Sequence, residues 1–259
     1  MSSFSDEDET PSSSEIEIVQ EIRENIKLSI LERCGKIRVL DMTVPINLND
    51  IYTSVNILEK ITKTRRIGNQ LLQKVNFEDI ERFGLSRIIE KRISALEAVE
   101  KYSKLMILGK AGAGKSIFLK YLAIQCIKGE FQPHLVPIFL NLKDFAVHTT
   151  LIEYITQFIQ PNIDINQLLI SGKMLILLDG LDEVKQDNNN HILQKIRDFS
   201  HQFSNNHFVV TSRIAAGEYT FEQFTEVEIA DFDDQQITDF VFNWFQDQSK
   251  AKLFIQKLP

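Results

Sequence analysis

Residues 105–126 read LMILGKAGAGKSIFLKYLAIQC: an apolar run, the octet GKAGAGKS, and a second apolar run with a different periodicity. The first run reads as a strand buried on both faces, and the second as a helix predicted over 114–128. Between them, Gly109, Gly112 and Gly114 allow backbone conformations closed to residues with a Cβ, so that successive N–H groups can turn inward. Those N–H groups and the positive end of the following helix make an anion site suited to a triphosphate. Gly109 to Ser116 fits G-x-x-x-x-G-K-[ST] in the strand–loop–helix context that this motif requires. Lys115 then reaches the β- and γ-phosphates and Ser116 offers its hydroxyl to Mg²⁺. The nucleotide-contacting set runs Gly109, Lys110, Ala111, Gly112, Ala113, Gly114, Lys115, Ser116 and Ile117. Lys110 precedes the turn and is expected to point outward.

A phosphate loop needs a group on the far side of the metal. KMLILLDGLDEV at 173–184 provides an apolar strand ending in an acid, and a carboxylate at the carboxyl end of such a strand faces the phosphates. Asp179 is therefore the expected Mg²⁺ partner, alongside Ser116. Asp182 and Glu183 follow three and four residues later, and either could orient or deprotonate an attacking water. Acids gathered at a helix N-terminus for dipole reasons are the competing reading, and the sequence does not choose between the two acids. HFVVTSR at 207–213 is a further short apolar strand whose end carries Thr211, Ser212 and Arg213. The guanidinium of Arg213 suits two-pronged contact with phosphate oxygens, which gives it a sensing role beside Asp182 and Glu183.

From residue 104 strands and helices alternate, as in a parallel sheet covered on both faces. The predicted strands are 104–109, 135–142, 173–179, 207–211 and 225–229, and the predicted helices 114–128, 150–159, 163–171 and 191–204. Thr150 with Glu153 reads as a capping box, and Ile192, Ile196, Phe199 and Phe203 form one apolar face. Pro137 cannot donate a ladder hydrogen bond, so its strand belongs at an edge or begins there. Upstream, Ser14 with Glu17 opens a helix carrying Val19, Ile22, Ile26 and Ile30, which Gly35 stops. IYTSVNIL at 51–58 reads as a strand, and short helical pieces fill 67–102.

A chain of 259 residues with 43% hydrophobic and 25% charged content suits one sizeable core plus a smaller unit. No run approaches the ~18 apolar residues of a membrane helix, and the acidic, Ser-rich start lacks the parts of a signal peptide, so a cytoplasmic protein is expected. The net charge of −7 is concentrated in residues 1–15, which hold five acids and no base, leaving 29 basic against 31 acidic residues. Bulk electrostatics therefore forces no nucleic-acid partner; Lys60, Lys63, Arg65 and Arg66 read as a solvated loop first and a phosphate contact second. Cys34 and Cys126, far apart, read as reduced core thiols. Low apolar content leaves residues 1–14 disordered in expectation.

GKAGAGKS, LILLDGLDE and VVTSR, in this order and spacing, resemble the NACHT group of the signal-transduction ATPases with numerous domains (STAND). Asp179 followed by a small residue and then Asp182–Glu183 is a fairly specific part of that resemblance. LDMTVPINLNDIYTSVNILEKIT, at 40–62, is similar to the N-terminal helical segment of bacterial NACHT proteins. The resemblance implies an α/β P-loop NTPase with a five-stranded parallel sheet of order 2-3-4-1-5 flanked by helices, preceded by a mostly helical N-terminal segment. It divides the chain into a tail (1–14), an N-terminal segment (15–103), a NACHT nucleotide-binding domain (104–229) and the start of a helical lid (230–259). Ala111 stands where many members have proline, which loosens the loop without removing a ligand. The family continues through a complete lid and a winged-helix domain, so this sequence is expected to represent only the start of the switch. Asp233 and Gln236 cap a helix bearing Ile237, Phe240, Val241, Trp244 and Phe245, an apolar face expected to lie largely uncovered.

Three functions compete. The first is an ATP/ADP- and Mg²⁺-binding, slowly hydrolysing signal-transduction switch that self-associates through the NACHT domain, with a role in anti-phage defence implied by the resemblance. The second is a nucleotide-binding remnant without signalling. The third is a P-loop kinase of a small molecule, for which 140–172 offers no identifiable acceptor pocket. Adenine over guanine rests on the resemblance alone, since no base-reading motif such as NKxD is present.

Overall fold

A computed structural model describes residues 13–37, 45–59, 91–145, 150–159, 164–184, 186–214, 221 and 223–257. The acidic tail up to Ser12, the cluster Lys60, Lys63, Arg65 and Arg66, the helical pieces proposed between 67 and 90, and the Ser14 side chain lie outside the described residues.

The helix α1 (Ser13–Cys34) is followed by two short paired strands, β1 (Lys36–Ile37) and β2 (Ile46–Asn47), and by the turn-long helix α2 (Leu48–Ile51). Then come β3 (Asn56–Glu59), β4 (Lys91–Ser94) and α3 (Ala95–Lys101). The nucleotide-site half runs β5 (Lys104–Gly109), α4 (Lys115–Lys128), β6 (Val136–Asn141), α5 (Leu142–Phe145), α6 (Leu151–Thr156), α7 (Ile165–Ile170) and β7 (Met174–Asp179). A 3₁₀ turn at Leu181–Glu183 leads to α8 (Gln186–Gln202), β8 (His207–Arg213), β9 (Thr225–Ile229), α9 (Asp234–Phe245) and α10 (Gln248–Ile255).

The main sheet has the order β4-β3-β9-β5-β8-β7-β6. Its parallel part, β6-β7-β8-β5-β9, is the expected 2-3-4-1-5 order, and β6, which holds Pro137, is indeed the edge. The sheet is larger than expected: it has seven strands, not five, because β3 pairs antiparallel with β9 and β4 antiparallel with β3. Among the described residues the N-terminal segment adds these two strands to its helices, and the strand foreseen at 51–58 begins only at Asn56, after α2. Asn47 explains the difference: its side chain accepts from the Asn49 N–H and caps α2, drawing residues 48–51 into a helical turn.

Every residue of β7 is buried, so helices cover both faces of the sheet there. On one face α1 packs on α4 and β6 through Val19, Ile22, Ile26 and Ile30, the apolar stripe read from sequence. Arg23 is 4% exposed within that contact. Its guanidinium donates to the carbonyls of Cys126 (2.6 Å) and Ile127 (3.3 Å) at the end of α4, and to Leu135 (2.5 Å) before β6. A cation from α1 therefore caps the C-terminus of the phosphate-loop helix, where the helix dipole favours it. Cys34 and Cys126 are both buried and free, and burial pushes both thiols up to about 12.

The apolar face of α9 is better covered than expected. Val241 is buried, Ile237, Trp244 and Phe245 are half-buried, and Phe240 is 37% exposed. Cover comes from α2 on one side and α10 on the other. Asp233 and Gln236 close the predicted capping box, and the Gln236 amide also donates to the carbonyl of Ser54. Asn243 donates to the carbonyl of Tyr52, whose ring stacks on Tyr121 of α4 at 3.5 Å between centroids. Residues 52–54 so tie α9 to α4. Among the described residues, no helix is long and apolar enough to cross a membrane.

Replacing Arg23 by Met keeps the apolar stem but leaves buried carbonyls without their donor. A loss of about 2–3 kcal/mol is expected in urea unfolding, with part of it recovered by Arg23→Lys. An unchanged midpoint would show that the cap contributes nothing.

Candidate functional site

The parallel register brings the strand ends together. Gly109 lies level with Arg213 across β5 and β8, and Leu178 lies level with Val210 across β7 and β8, one residue short of Asp179 and Thr211. The loop leaving β5 turns at Gly112 (φ +78°) and Gly114 (φ +88°), both in the left-handed region, and Ala113 N–H closes the turn onto Lys110 O at 3.2 Å. A Cβ at either glycine would meet no atom within 4 Å, so backbone angle and not crowding is what requires glycine there. Gly114 is the N-cap of α4, which has no side-chain cap, so its first N–H groups remain available to an anion.

Beneath the loop is a cavity of about 230 Å³, lined by the loop from Ala111 to Ile117 and by Asp179, Gly180, Asp182, Glu183, Thr211 and Arg213. The site residues that the sequence singled out therefore share one cavity, apart from Gly109 and Lys110 at its edge. Lys110 points outward, pairing with Asp231 at 3.2 Å where both are exposed. The Lys115 ammonium lies folded over the loop, donating to the carbonyls of Gly109 and Lys110 at 2.8 Å each. Burial holds it below the usual lysine range, opposed by the carboxylates of Asp182, Asp179 and Glu183.

Asp179 is 7% exposed, and its Oδ1 accepts from Ser116 Oγ at 3.0 Å and from Thr211 Oγ1 at 2.7 Å. Thr211, wholly buried, also accepts from the Gly180 N–H at 2.9 Å. Its hydroxyl thus joins β8 to the end of β7 and fixes the rotamer of Asp179. The sequence placed Thr211 at a strand end without assigning it to the site; the cue was a β-branched hydroxyl opposite the acid in a parallel neighbour. A serine hydroxyl beside a nearly buried carboxylate, all hard oxygen, is a donor set that suits Mg²⁺.

Asp182 and Glu183 lie on the 3₁₀ turn, not at the N-terminus of a long helix, and they face different surroundings. Asp182, its side chain 8% exposed, accepts from the Arg213 backbone N–H at 3.0 Å and forms an ion pair with Arg213 Nε at 2.9 Å. Glu183 is exposed, and its carboxylate makes no hydrogen bond or ion pair among the described residues. Arg213 itself belongs to β8, which runs two residues beyond its predicted end.

A parallel sheet in this order, with a G-x-x-x-x-G-K-S loop over an acid-tipped neighbouring strand, defines a P-loop NTPase, a nucleotide-binding fold. Within that class, residues 103–248 match the NACHT domain model, and the chain belongs to the NACHT family. No curated protein matches the chain in sequence. Among solved structures, domain III of the replication initiation protein DnaA from Thermotoga maritima is similar at 12% identity, TM-score 0.43, covering 62% of this chain and 74% of that one. AMPPCP-bound DnaA from Aquifex aeolicus is similar at 16% identity, TM-score 0.42, covering 62% of this chain and 54% of that one. PCH-2 from C. elegans is similar at 13% identity, TM-score 0.39, covering 60% and 45% respectively.

Thr211→Val keeps the shape and deletes the hydroxyl, leaving the Gly180 N–H unpaired and Asp179 with Ser116 as its remaining hydroxyl donor. A loss of about 1–3 kcal/mol in thermal or chemical unfolding is expected, with Thr211→Ser losing less than half as much. A Val variant as stable as wild type, with the loss confined to Ser, would mean that the methyl group, not the hydroxyl, matters.

Proposed function

We propose that this chain is an ATP-binding, slowly hydrolysing NTPase of the STAND class that works as a nucleotide-dependent switch. The observation that carries the reading is the convergence, in one cavity, of the loop N–H groups, Lys115, the Ser116–Asp179–Thr211 cluster, two further acids and Arg213. In this reading the loop from Gly109 to Ile117 cradles the α- and β-phosphates, and Lys115 exchanges its two carbonyl acceptors for phosphate oxygens. That exchange replaces neutral acceptors by charged ones and favours the bound state. Ser116 and Asp179 would hold Mg²⁺, which when bound neutralises charge on the terminal phosphates. A carboxylate of the Asp182–Glu183 pair orients the attacking water, and Arg213 faces the terminal phosphate.

The switch role is supported by the placement of α9. This helix continues the chain directly from β9 at the edge of the site and is tied to α4 through residues 52–54. We assign 15–103 as a unit docked on the nucleotide-binding domain at 104–229, and 230–259 as the start of a lid. The protein is taken as cytoplasmic, self-associating through the nucleotide-binding domain, with no nucleic-acid partner. A part in antiviral signalling, by way of anti-phage defence, rests on the similarity of 40–62 to bacterial NACHT proteins.

Lys115→Ala is expected to weaken Mg²⁺–ATP binding about 10- to 100-fold in a fluorescent-nucleotide titration, the worth of one charge-assisted contact. Equal affinity in wild type and variant would contradict the assignment.

A further inference from the structure

The two acids after Asp179 stand in unlike environments, and the difference divides their work. Both carboxylate oxygens of Asp182 are engaged by one residue: Oδ2 in an ion pair with Arg213 Nε at 2.9 Å, and Oδ1 as acceptor from the Arg213 backbone N–H at 3.0 Å. The grip is local and two-pointed, made by a side chain 8% exposed on one that is 54% exposed. It uses Nε and the main chain but neither terminal nitrogen; Nη1 and Nη2 of Arg213 have no hydrogen-bond partner among the described residues. A guanidinium ion-paired on its Nε side keeps its terminal fork for a planar or tetrahedral anion. Glu183, one residue on, lines the same cavity, is exposed and has neither oxygen engaged.

We infer that Asp182 is a positioning residue that aims Arg213 at the terminal phosphate of a nucleoside triphosphate, and that Glu183 alone is the acid that polarises the attacking water. The inference rests on the proposed nucleotide site and assigns roles within it. Asp182 then acts on the choice between tri- and diphosphate, because Arg213 meets only the phosphate that the diphosphate lacks. Glu183 acts on the chemical step and not on that choice. Proton transfer balances simply: water gives its proton to the Glu183 carboxylate as its oxygen bonds to phosphorus, and the bond from phosphorus to the bridging oxygen breaks toward the diphosphate.

The test is titration of the full chain with fluorescent ATP and ADP, together with single-turnover hydrolysis, for Asp182→Asn, Arg213→Ala, the double variant and Glu183→Gln. Asp182→Asn should lose about tenfold or more in ATP affinity with ADP affinity unchanged, and the double variant should be no weaker than Arg213→Ala alone. Glu183→Gln should keep both affinities and slow hydrolysis about 100-fold or more. In the nucleotide-free protein, the ¹⁵N-edited NMR signal of Arg213 Nε–H should be shifted and protected in wild type and should collapse to the free-arginine position in Asp182→Asn. That readout keeps the test open if a variant binds no nucleotide. Wild-type ATP binding with an Asp182→Asn variant that keeps its ATP preference but not its hydrolysis would overturn this inference alone. A wild type that binds no nucleotide would overturn the proposed function beneath it.

Discussion

Gly109 on β5 stands level with Arg213 on β8, and Leu178 on β7 stands level with Val210. The glycine-rich loop, Asp179 and Arg213 therefore stand at the ends of three adjacent strands, within two residues of one another in register. Their side chains meet in one cavity because of that register. A slip of one residue would turn Asp179 to the opposite face and separate it from Ser116 and Thr211. Burial holds the register: β5, β7 and β8 are covered on both faces, and a slip would move a charged strand end into the apolar layer. The hydroxyl of Thr211 adds a polar lock at the level where the site begins.

The same logic explains what the N-terminal segment does for the site. Without β3, strand β9 would be an open edge next to β5. Without Arg23, the helix whose N-terminus faces the cavity would end in buried carbonyls short of a donor. Residues upstream of the family match thus stabilise both ends of the phosphate-loop helix system, from its far terminus and from its flanking strand. Residues 52–54 extend this support to α9, so that the segment touches the phosphate-loop helix and the helix that follows β9 alike.

Much of this was legible in the sequence because the signals were local. A glycine-punctuated loop between a strand and a helix, an apolar run tipped with acid, and a proline that demanded an edge strand each constrain the backbone within a few residues. The capping boxes at Thr150 and Asp233 are of the same kind, and both form as read. What escaped depends on partners distant in sequence. The antiparallel strands β3 and β4 are short, and nothing within them states that β9 is their neighbour. Nothing local marks Arg23 for its role, because its acceptors lie over a hundred residues away. Thr211 and the Asp182–Arg213 pair could be named as polar residues but not joined, because joining them needs the register. The cover of α9 was underestimated for the same reason: α2 reaches it across the fold, from nearly two hundred residues upstream.

The central claim is that the strand ends converge on Asp179 as the metal-holding acid. Calorimetric titration with ATP, with and without Mg²⁺, on wild type, Asp179→Asn and Asp182→Asn measures it directly. The expected result is a Mg²⁺-dependent gain in affinity that wild type and Asp182→Asn share and Asp179→Asn lacks. A gain retained by Asp179→Asn and lost by Asp182→Asn would contradict it and move the metal to the other acid.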